Sequence, residues 1–365
     1  MLHLVTRFLR GGSEQRVRDL VAALPDAAHE VIVGAESDVD GARTQLGVPV
    51  SVEPHLVRAI RPDHDVRAVV ALRSRLRRHP VELVVTHQSK AGVVGRVAAR
   101  LSGGIPVVHS LSMASFGPGY GRVQSATFQI VERLLAPVTA RYVVVGADLA
   151  RRFEVAGIDG RKLTVVRSGA TLPRSRPAVR SVAGVPDHRR VILCVGALED
   201  RKHPLDLIPI LTAVRATIPD AMLLVAGEGP LAGALAEAVR GAGLESDVVL
   251  AGYVNPVEPL MWRADVVVLL SNAEGLPQVL IQAAAAGVPF VSYDVDGARE
   301  LLLLGARGTV VALNDRADAA RAVAALLEEG DAGVTVDVSS WDRAVIDAAY
   351  RRVVDDVLSE VRCAG

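Results

Sequence analysis

The chain has 365 residues, half of them hydrophobic, and its 41 basic and 41 acidic side chains leave no net charge. This length exceeds one ordinary core and suits two α/β domains, each able to bury its own. Zero net charge and 3% aromatic content exclude nucleic-acid binding as the main task, since that needs a basic footprint and stacking surface.

The two cysteines, Cys194 and Cys363, make no disulfide framework and fit a reducing cytoplasm. No run reaches the ~18 apolar residues of a membrane span. The opening Leu2-His3-Leu4-Val5-Thr6 reads as a strand, not a leader peptide. A cytoplasmic protein is expected, with peripheral membrane contact through its N-terminal half open to it.

Short apolar runs alternate with amphipathic stretches, the pattern of βα crossovers and parallel sheets. Strands are predicted at 2–6, 30–34, 82–86, 106–109, 142–145 and 163–167, with helices near 13–24, 64–78, 91–102, 120–136 and 147–156. The stretch from Pro173 to Arg190, with Pro177 and Pro186, reads as a linker. Strands then recur at 191–196, 222–226, 247–250, 265–270, 288–292 and 308–311, and a terminal helix at 341–361. The domains are therefore drawn as 1–172 and 191–340, a linker at 173–190 between them, and a closing helix at 341–365.

Charge divides unevenly. Residues 1–170 carry 23 Lys and Arg against 15 Asp and Glu, and the remainder 18 against 26. Arg73, Arg75, Arg77 and Arg78 crowd one helix. They read either as a solvated face or as a surface for an anionic acceptor or membrane.

Several strand ends carry polar residues, and ligands of open α/β sheets bind outside the carboxyl ends of strands. Gly11-Gly12-Ser13-Glu14 follows the first strand, with glycines that let a ligand approach the backbone and a serine able to cap a helix. Thr86-His87-Gln88-Ser89-Lys90 ends another strand and makes His87 and Lys90 cleft candidates beside Glu14. His109-Ser110-Leu111-Ser112 ends the next.

In the second half, Glu199-Asp200-Arg201-Lys202 offers cations after a strand. Gly227-Glu228-Gly229-Pro230 is a glycine-rich turn; Ala232 in its sixth position breaks the dinucleotide fingerprint. Glu274-Gly275-Leu276-Pro277 leads into a helix that carries Gln282. Proline suits a helix start, and the free amides and dipole there suit a phosphate. The triplets Asp38-Val39-Asp40 and Asp294-Val295-Asp296 read as loop carboxylates, and no Cys/His cluster suggests zinc. No metal and no cofactor are expected.

Taken together these segments resemble family 4 retaining glycosyltransferases over nearly the whole chain. Glu274 to Gln282 resembles the EX7E motif, with Gln in place of the second Glu. Gly11, Gly12 and Glu14 match GGxE. His109 to Phe116 resembles His-Thr-x-His-Gly-x-x-Phe, with Ser112 in place of the second His. Lys202 matches the diphosphate lysine, Ala197 replaces the family's arginine, and Arg201 is the substitute. Gly229 matches GxGP, and Tyr253 and Val254 match the loop that recognises the base.

The resemblance implies the GT-B fold, two Rossmann-like parallel-sheet domains facing across a cleft. It implies retaining, metal-independent transfer of a hexose or N-acetylhexosamine from a nucleotide sugar, with UDP the expected nucleotide, to a hydroxyl on a small-molecule, glycan or lipid-linked acceptor. Glu274, Lys202, Ser112 and His109 take the catalytic positions; Gly275, Leu276, Pro277 and Gln282 join the donor contacts. Because Ser112, Ala197 and Gln282 depart from the family together, a non-catalytic nucleotide-sugar-binding protein of the same fold remains the alternative. An epimerase on this architecture has only the fold in its favour.

Overall fold

The computed structural model describes residues 1–9, 12–117, 119–169, 182, 184–330 and 336–364. Gly11 and most of the predicted linker, 173–181 and 183, lie outside the described residues. The chain forms two units, Met1–Gly169 with Ser339–Gly365, and Ala170–Val338.

The first unit runs β1 Leu2–Val5, α1 Gly12–Ala23, β2 Glu30–Gly34, α2 Val39–Leu46, β3 Val50–Glu53, α3 Pro62–Arg78, β4 Val84–His87, α4 Ser89–Leu101, β5 Val107–Leu111, α5 Arg122–Leu135, β6 Arg141–Val144, α6 Ala147–Val155 and β7 Leu163–Val165. Its seven strands are parallel in the order β3-β2-β1-β4-β5-β6-β7. The chain thus winds outward from β1, returns, and winds the other way from β4. The switch point lies between β1 and β4, where Val5 stands opposite His87.

Strand side chains alternate between two helical layers, as a period of two requires. Val84 and Val107 pack with Leu72, Leu76 and Val94 of α3 and α4. Val85, Val108 and Val143 face the opposite layer.

The second unit runs β8 Arg190–Val195, α7 Leu207–Arg215, β9 Ala221–Ala226, α8 Ala232–Gly241, β10 Val248–Gly252, α9 Glu258–Arg263, β11 Val266–Leu269, α10 Gln278–Ala285, β12 Phe290–Tyr293, α11 Ala298–Leu303, β13 Gly308–Val311 and α12 Arg316–Glu329. Its six parallel strands take the order β10-β9-β8-β11-β12-β13, with the switch point between β8 and β11. Val266, Val267, Val268 and Leu269 are buried on both faces, as a central parallel strand demands.

The last helix, α13 Arg343–Ala364, belongs to the first unit. Ile346, Tyr350, Val353, Val354 and Val357 recur at helical spacing and pack on Leu20, Val85, Val108 and Val143. Arg343 donates to the fully buried Asp19 at 2.6 Å. Asp19 also accepts from Gln15 and from the backbone of Gly169, so one carboxylate fixes α13 and the end of the unit's last loop.

Two elements escape the sequence reading. Helix α2 has only eight residues and includes Gly41. Asp38, expected as a loop carboxylate, caps it by accepting from the Gly41 amide. Strand β3 is an edge strand with its first three residues partly or fully exposed, so it lacks the apolar run that marks its neighbours. Among the described residues no helix is long and apolar enough to cross a membrane.

Candidate active site

The second unit's switch point gathers three of the residues singled out above. Gly196 follows β8, and a Cβ on Gly227 would stand 1.8 Å from its carbonyl oxygen. The glycine pair lets the turns after β8 and β9 close on each other. Leu198 then donates to Glu228 O at 2.9 Å and accepts from Leu231 N at 2.9 Å. A Cβ on Gly229 would likewise meet the Leu198 carbonyl at 2.4 Å, so Gly229 serves this closure.

A short 3-10 turn, Asp200–Lys202, follows. The Arg201 carbonyl accepts from the Asn272 amide at 3.0 Å and ties the turn to the loop after β11. That loop presents Glu274. Lys202 Nζ donates to Glu274 Oε1, and Arg201 Nη1 donates to the same oxygen at 3.0 Å and to Ala273 O at 2.8 Å. Arg201 Nη2 donates to Glu199 Oε1 at 2.9 Å.

Burial alone would raise the Glu274 carboxyl pKa, but the Lys202 ammonium and then the Arg201 guanidinium hold it below the usual range. Burial opposes charge on Arg201 too, yet Glu274 and Glu199 raise its pKa. The result is an ionised, charge-balanced set of two cations and two carboxylates. Helix α10 begins just beyond it with Pro277 at its N-cap and no side-chain cap. The first-turn amides are therefore not taken by a capping side chain. Gly275, Leu276 and Pro277 are buried in this loop, and Gln282 is half-buried along the helix. Tyr253, exposed, and Val254, half-buried, follow β10.

Glu199, Asn272 and His203 were not singled out from sequence. His203 Nε2 lies 3.2 Å from Asn272 Nδ2, and its Nδ1 lies 3.7 Å from the buried Asp206. Asp206 also meets Tyr293 and Arg316. The only signal for Glu199 and Asn272 was their place two or three residues from a chosen neighbour.

The first unit's strand ends are built differently. Gln88, with φ of 69°, uses its amide to accept from Arg7 N at 3.1 Å and donate to Arg7 O at 3.0 Å. That left-handed backbone is costly for a residue with a side chain, and the paired hydrogen bonds hold it in place. Thr6 Oγ1 accepts from the Ala91 amide at the start of α4. Glu14, buried, reaches back to accept from Leu9 N at 3.1 Å. Lys90 pairs with Asp65 at 2.5 Å.

His87 is buried at the end of a three-histidine chain. His29 Nε2 lies 2.8 Å from the Leu24 carbonyl, His3 Nε2 lies 2.9 Å from His29 Nδ1, and His87 Nε2 lies 3.3 Å from His3 Nδ1. Since Leu24 O only accepts, the neutral chain has one proton order: each Nε2 donates and each Nδ1 of His29 and His3 accepts. Burial, then Arg16 and His109, lower the His87 pKa to about 3.

His109 has no exposed surface. Its Nδ1 is 2.8 Å from Thr86 Oγ1, and its ring lies beside the buried, bidentate Arg96–Glu132 pair. Burial and then Arg96 lower its pKa to about 3. Ser112 is half-buried just past β5. Arg16, unforeseen, is buried among Ser110, Ser168 and the carbonyls of Val143 and Val166. Of the first-unit candidates, then, His87, His109 and Glu14 lie below the surface, and Ser112 and Lys90 reach it in part.

Comparison with known proteins adds an independent line. The family described as "Glycosyl transferase 4-like domain" matches residues 11–169, and "Glycosyl transferases group 1" matches residues 189–329. The UDP-Gal:alpha-D-GlcNAc-diphosphoundecaprenol alpha-1,3-galactosyltransferase of Escherichia coli is 26% identical over 72% of this chain and 70% of its own length. The phosphatidyl-myo-inositol mannosyltransferase of Mycobacterium leprae is 26% identical over 94% and 88%. Among solved structures, Anabaena HepE in complex with UDP and glucose superposes with a TM-score of 0.69 at 18% identity, covering 100% of this chain and 98% of that one. Sucrose-phosphate synthase from Thermosynechococcus elongatus gives 0.69 at 18%, covering 100% and 97%. At such identities the structural likeness shows the fold, two parallel-sheet units of the GT-B type.

Proposed function

The chain belongs to the group 1 glycosyltransferases of the family 4 type, and from that premise we propose that it transfers a hexosyl or N-acetylhexosaminyl group from a UDP-sugar to an acceptor hydroxyl, with retention of configuration and without an obligatory metal. The observation that carries this reading is the meeting of Lys202 and Arg201 at Glu274 beside the start of α10. A nucleoside diphosphate leaves with growing negative charge, and fixed cations with helix amides stabilise that charge more in the transition state than before it.

In this reading Lys202 and Arg201 meet the diphosphate with the amides of Gly275, Leu276 and Gln278, and Arg201 takes over from the cation absent at Ala197. Glu274 holds sugar hydroxyls, Gln282 the ribose, and the Tyr253–Val254 backbone the base. The departing diphosphate oxygen takes the acceptor proton as the hydroxyl attacks on the face it vacates. The protein supplies positioning and charge. The first unit takes the acceptor. Ser112 offers the donor sugar a neutral hydrogen bond, while the buried His87, His109 and Glu14 hold the surrounding loops. Named relatives acting on a diphosphoundecaprenol-linked sugar and on phosphatidyl-myo-inositol favour a lipid-linked acceptor.

The test is UDP release from a panel of UDP-sugars with a lipid-linked acceptor, with and without EDTA, and the anomeric configuration of the product by NMR. Turnover that survives chelation and retains configuration is expected. Binding of UDP-sugars with no turnover for any acceptor would overturn the transferase reading in favour of a binding protein. Activity lost to EDTA and restored by Mn2+ would overturn metal independence.

A further inference from the structure

His203 follows Lys202 directly, and its backbone is left-handed, with φ of 48° and ψ of 47°. A residue with a side chain adopts that region at a cost that glycine does not meet. Pro204 comes next, and a proline pushes its predecessor toward extended backbone. Hydrogen bonds on both sides hold the conformation. His203 N donates to Asp200 O at 3.1 Å, and His203 O accepts from Asp206 N at 3.1 Å. A strained residue beside a candidate site points to a use of its side chain.

The ring has one. Its Nε2 lies 3.2 Å from Asn272 Nδ2. An amide nitrogen only donates, so Nε2 accepts and the ring proton sits on Nδ1, which faces the buried Asp206 at 3.7 Å. Asp206 is itself fixed: it accepts from the Tyr293 hydroxyl at 2.9 Å and pairs with Arg316, at the start of α12, at 2.8 Å. The Tyr293 ring stands edge-on to His203, with 6.5 Å between centroids. His203 thus ties a fixed base at β12 and α12 to the loop that presents Glu274.

That loop and the Arg201–Lys202 turn are joined by links of two kinds. Lys202 and Arg201 reach Glu274 as cations, and a bound diphosphate competes for both of them. The bond from Asn272 N to Arg201 O and the one between Asn272 and His203 join neutral groups. Transfer of the cations to a diphosphate leaves these two intact.

We infer that His203 is a positioning residue for donor turnover: through Asn272 it keeps the Glu274 loop in register with Lys202 while the two cations change partner from carboxylate to diphosphate. This role rests on the diphosphate site proposed above for Lys202 and Arg201.

Two substitutions separate the ring's reach from its backbone. Asparagine tolerates the left-handed region but is too short to meet Asn272. Glutamine carries its amide near the place of Nε2 and can accept from Asn272. His203→Asn is expected to lower kcat for UDP-sugar turnover about five- to tenfold. KM and the calorimetric affinity for UDP stay within about twofold of the parent. His203→Gln restores most of kcat. Asn272→Ala reproduces the loss, and the double variant with His203→Asn is no slower than either alone. Thermal unfolding checks that every variant stays folded. An unchanged kcat in His203→Asn, a glutamine variant as slow as the asparagine one, or losses that add in the double variant would overturn the role.

A second measurement needs no turnover. Hydrogen exchange across 270–276 in the UDP complex should be at least about tenfold faster in His203→Asn than in the parent, with His203→Gln protected like the parent. Equal exchange in all three overturns the role. A parent chain that binds UDP but turns over no donor counts against the transferase reading, and the exchange result then decides on His203 by itself. A parent chain that does not bind UDP overturns the diphosphate site and this role with it.

Discussion

The two units share a doubly wound sheet yet furnish their strand ends in opposite ways. In the first, the histidines at the strand ends are buried and neutral: the chain from His29 through His3 to His87, and His109 beside an internally paired Arg96 and Glu132. In the second, they are half-buried and ionised, with Glu274 shared by Lys202 and Arg201. Hydrogen-bonded neutral groups fix geometry, whereas a dense charge set can exchange one anionic partner for another. The first arrangement suits a fixed scaffold, and the second suits an anion such as a diphosphate.

Acid separates the two units most strongly. His87 and His109 titrate near 3 when folded, against an ordinary 6.5. Protons therefore favour the unfolded first unit: the histidine contribution is complete above pH 6.5 and is lost as pH falls toward 3. At pH 5 each of the two costs about 2 kcal/mol, and His3, lowered further by burial and its histidine neighbours, adds to the loss. The two tryptophans give the readout, since Trp341 lies in the first unit and Trp262 in the second. Urea unfolding of a Trp262→Phe chain at pH 7 and pH 5 should show the first unit losing about 4 kcal/mol or more. A first-unit midpoint independent of pH would erase the contrast.

Charge in the second unit is tested by Lys202→Ala. The change should lower kcat/KM about 10²- to 10³-fold while the second unit unfolds near its parent midpoint. Equal kcat/KM in a folded variant would remove Lys202 from the chemistry.

How much of this was legible follows from the range over which each signal acts. The strands at 191–196 and 265–270 stood out because their apolar runs are continuous and local. Helix α2 did not, because Gly41 and a polar sequence dilute its period, and β3 did not, because an edge strand needs no buried face. Lys202 and Glu274 were visible as motif residues 72 positions apart. Their meeting depends on β8 lying next to β11, which neither segment encodes alone. The histidine chain was invisible for the same reason. His3, His29 and His87 come from β1, the approach to β2, and the end of β4, and only the pairing of those strands brings them into line.

A smaller effect tests whether the first unit's buried polar groups are held by charge at all. Arg343→Ala leaves the buried Asp19 with Gln15 and the Gly169 amide but no cation. Breaking a buried pair costs about 3–5 kcal/mol, and because Arg343 is partly exposed the expected loss here is about 2 kcal/mol. Trp341 fluorescence in urea measures it. A loss under about 0.5 kcal/mol would mean that the apolar stripe of α13 holds the helix by itself.

The smallest effect is at Ser112. A neutral hydrogen bond contributes about 1 kcal/mol, so Ser112→Ala should lower turnover about fivefold. Ser112→His should not help a pocket adapted to serine. A tenfold or greater gain from histidine, alone or with Gln282→Glu, would mark the site as a degraded form of the family's and bring the first unit closer to the second in its use of charge.

The place of α13 has a consequence for how the protein comes into being on the ribosome. Translation proceeds at about 5–20 residues per second, and domains generally fold as they emerge. Here the first unit emerges first, but Ile346, Tyr350, Val353, Val354 and Val357 arrive only after Ala170–Val338 has been made. Until then Leu20, Val85, Val108 and Val143 lack the helix that covers them. The second unit has all of its strands and helices before the first has its last one, so the half of the enzyme synthesised earliest completes its core last, and a nascent chain stalled before Arg343 exposes an apolar sheet face for chaperones to hold.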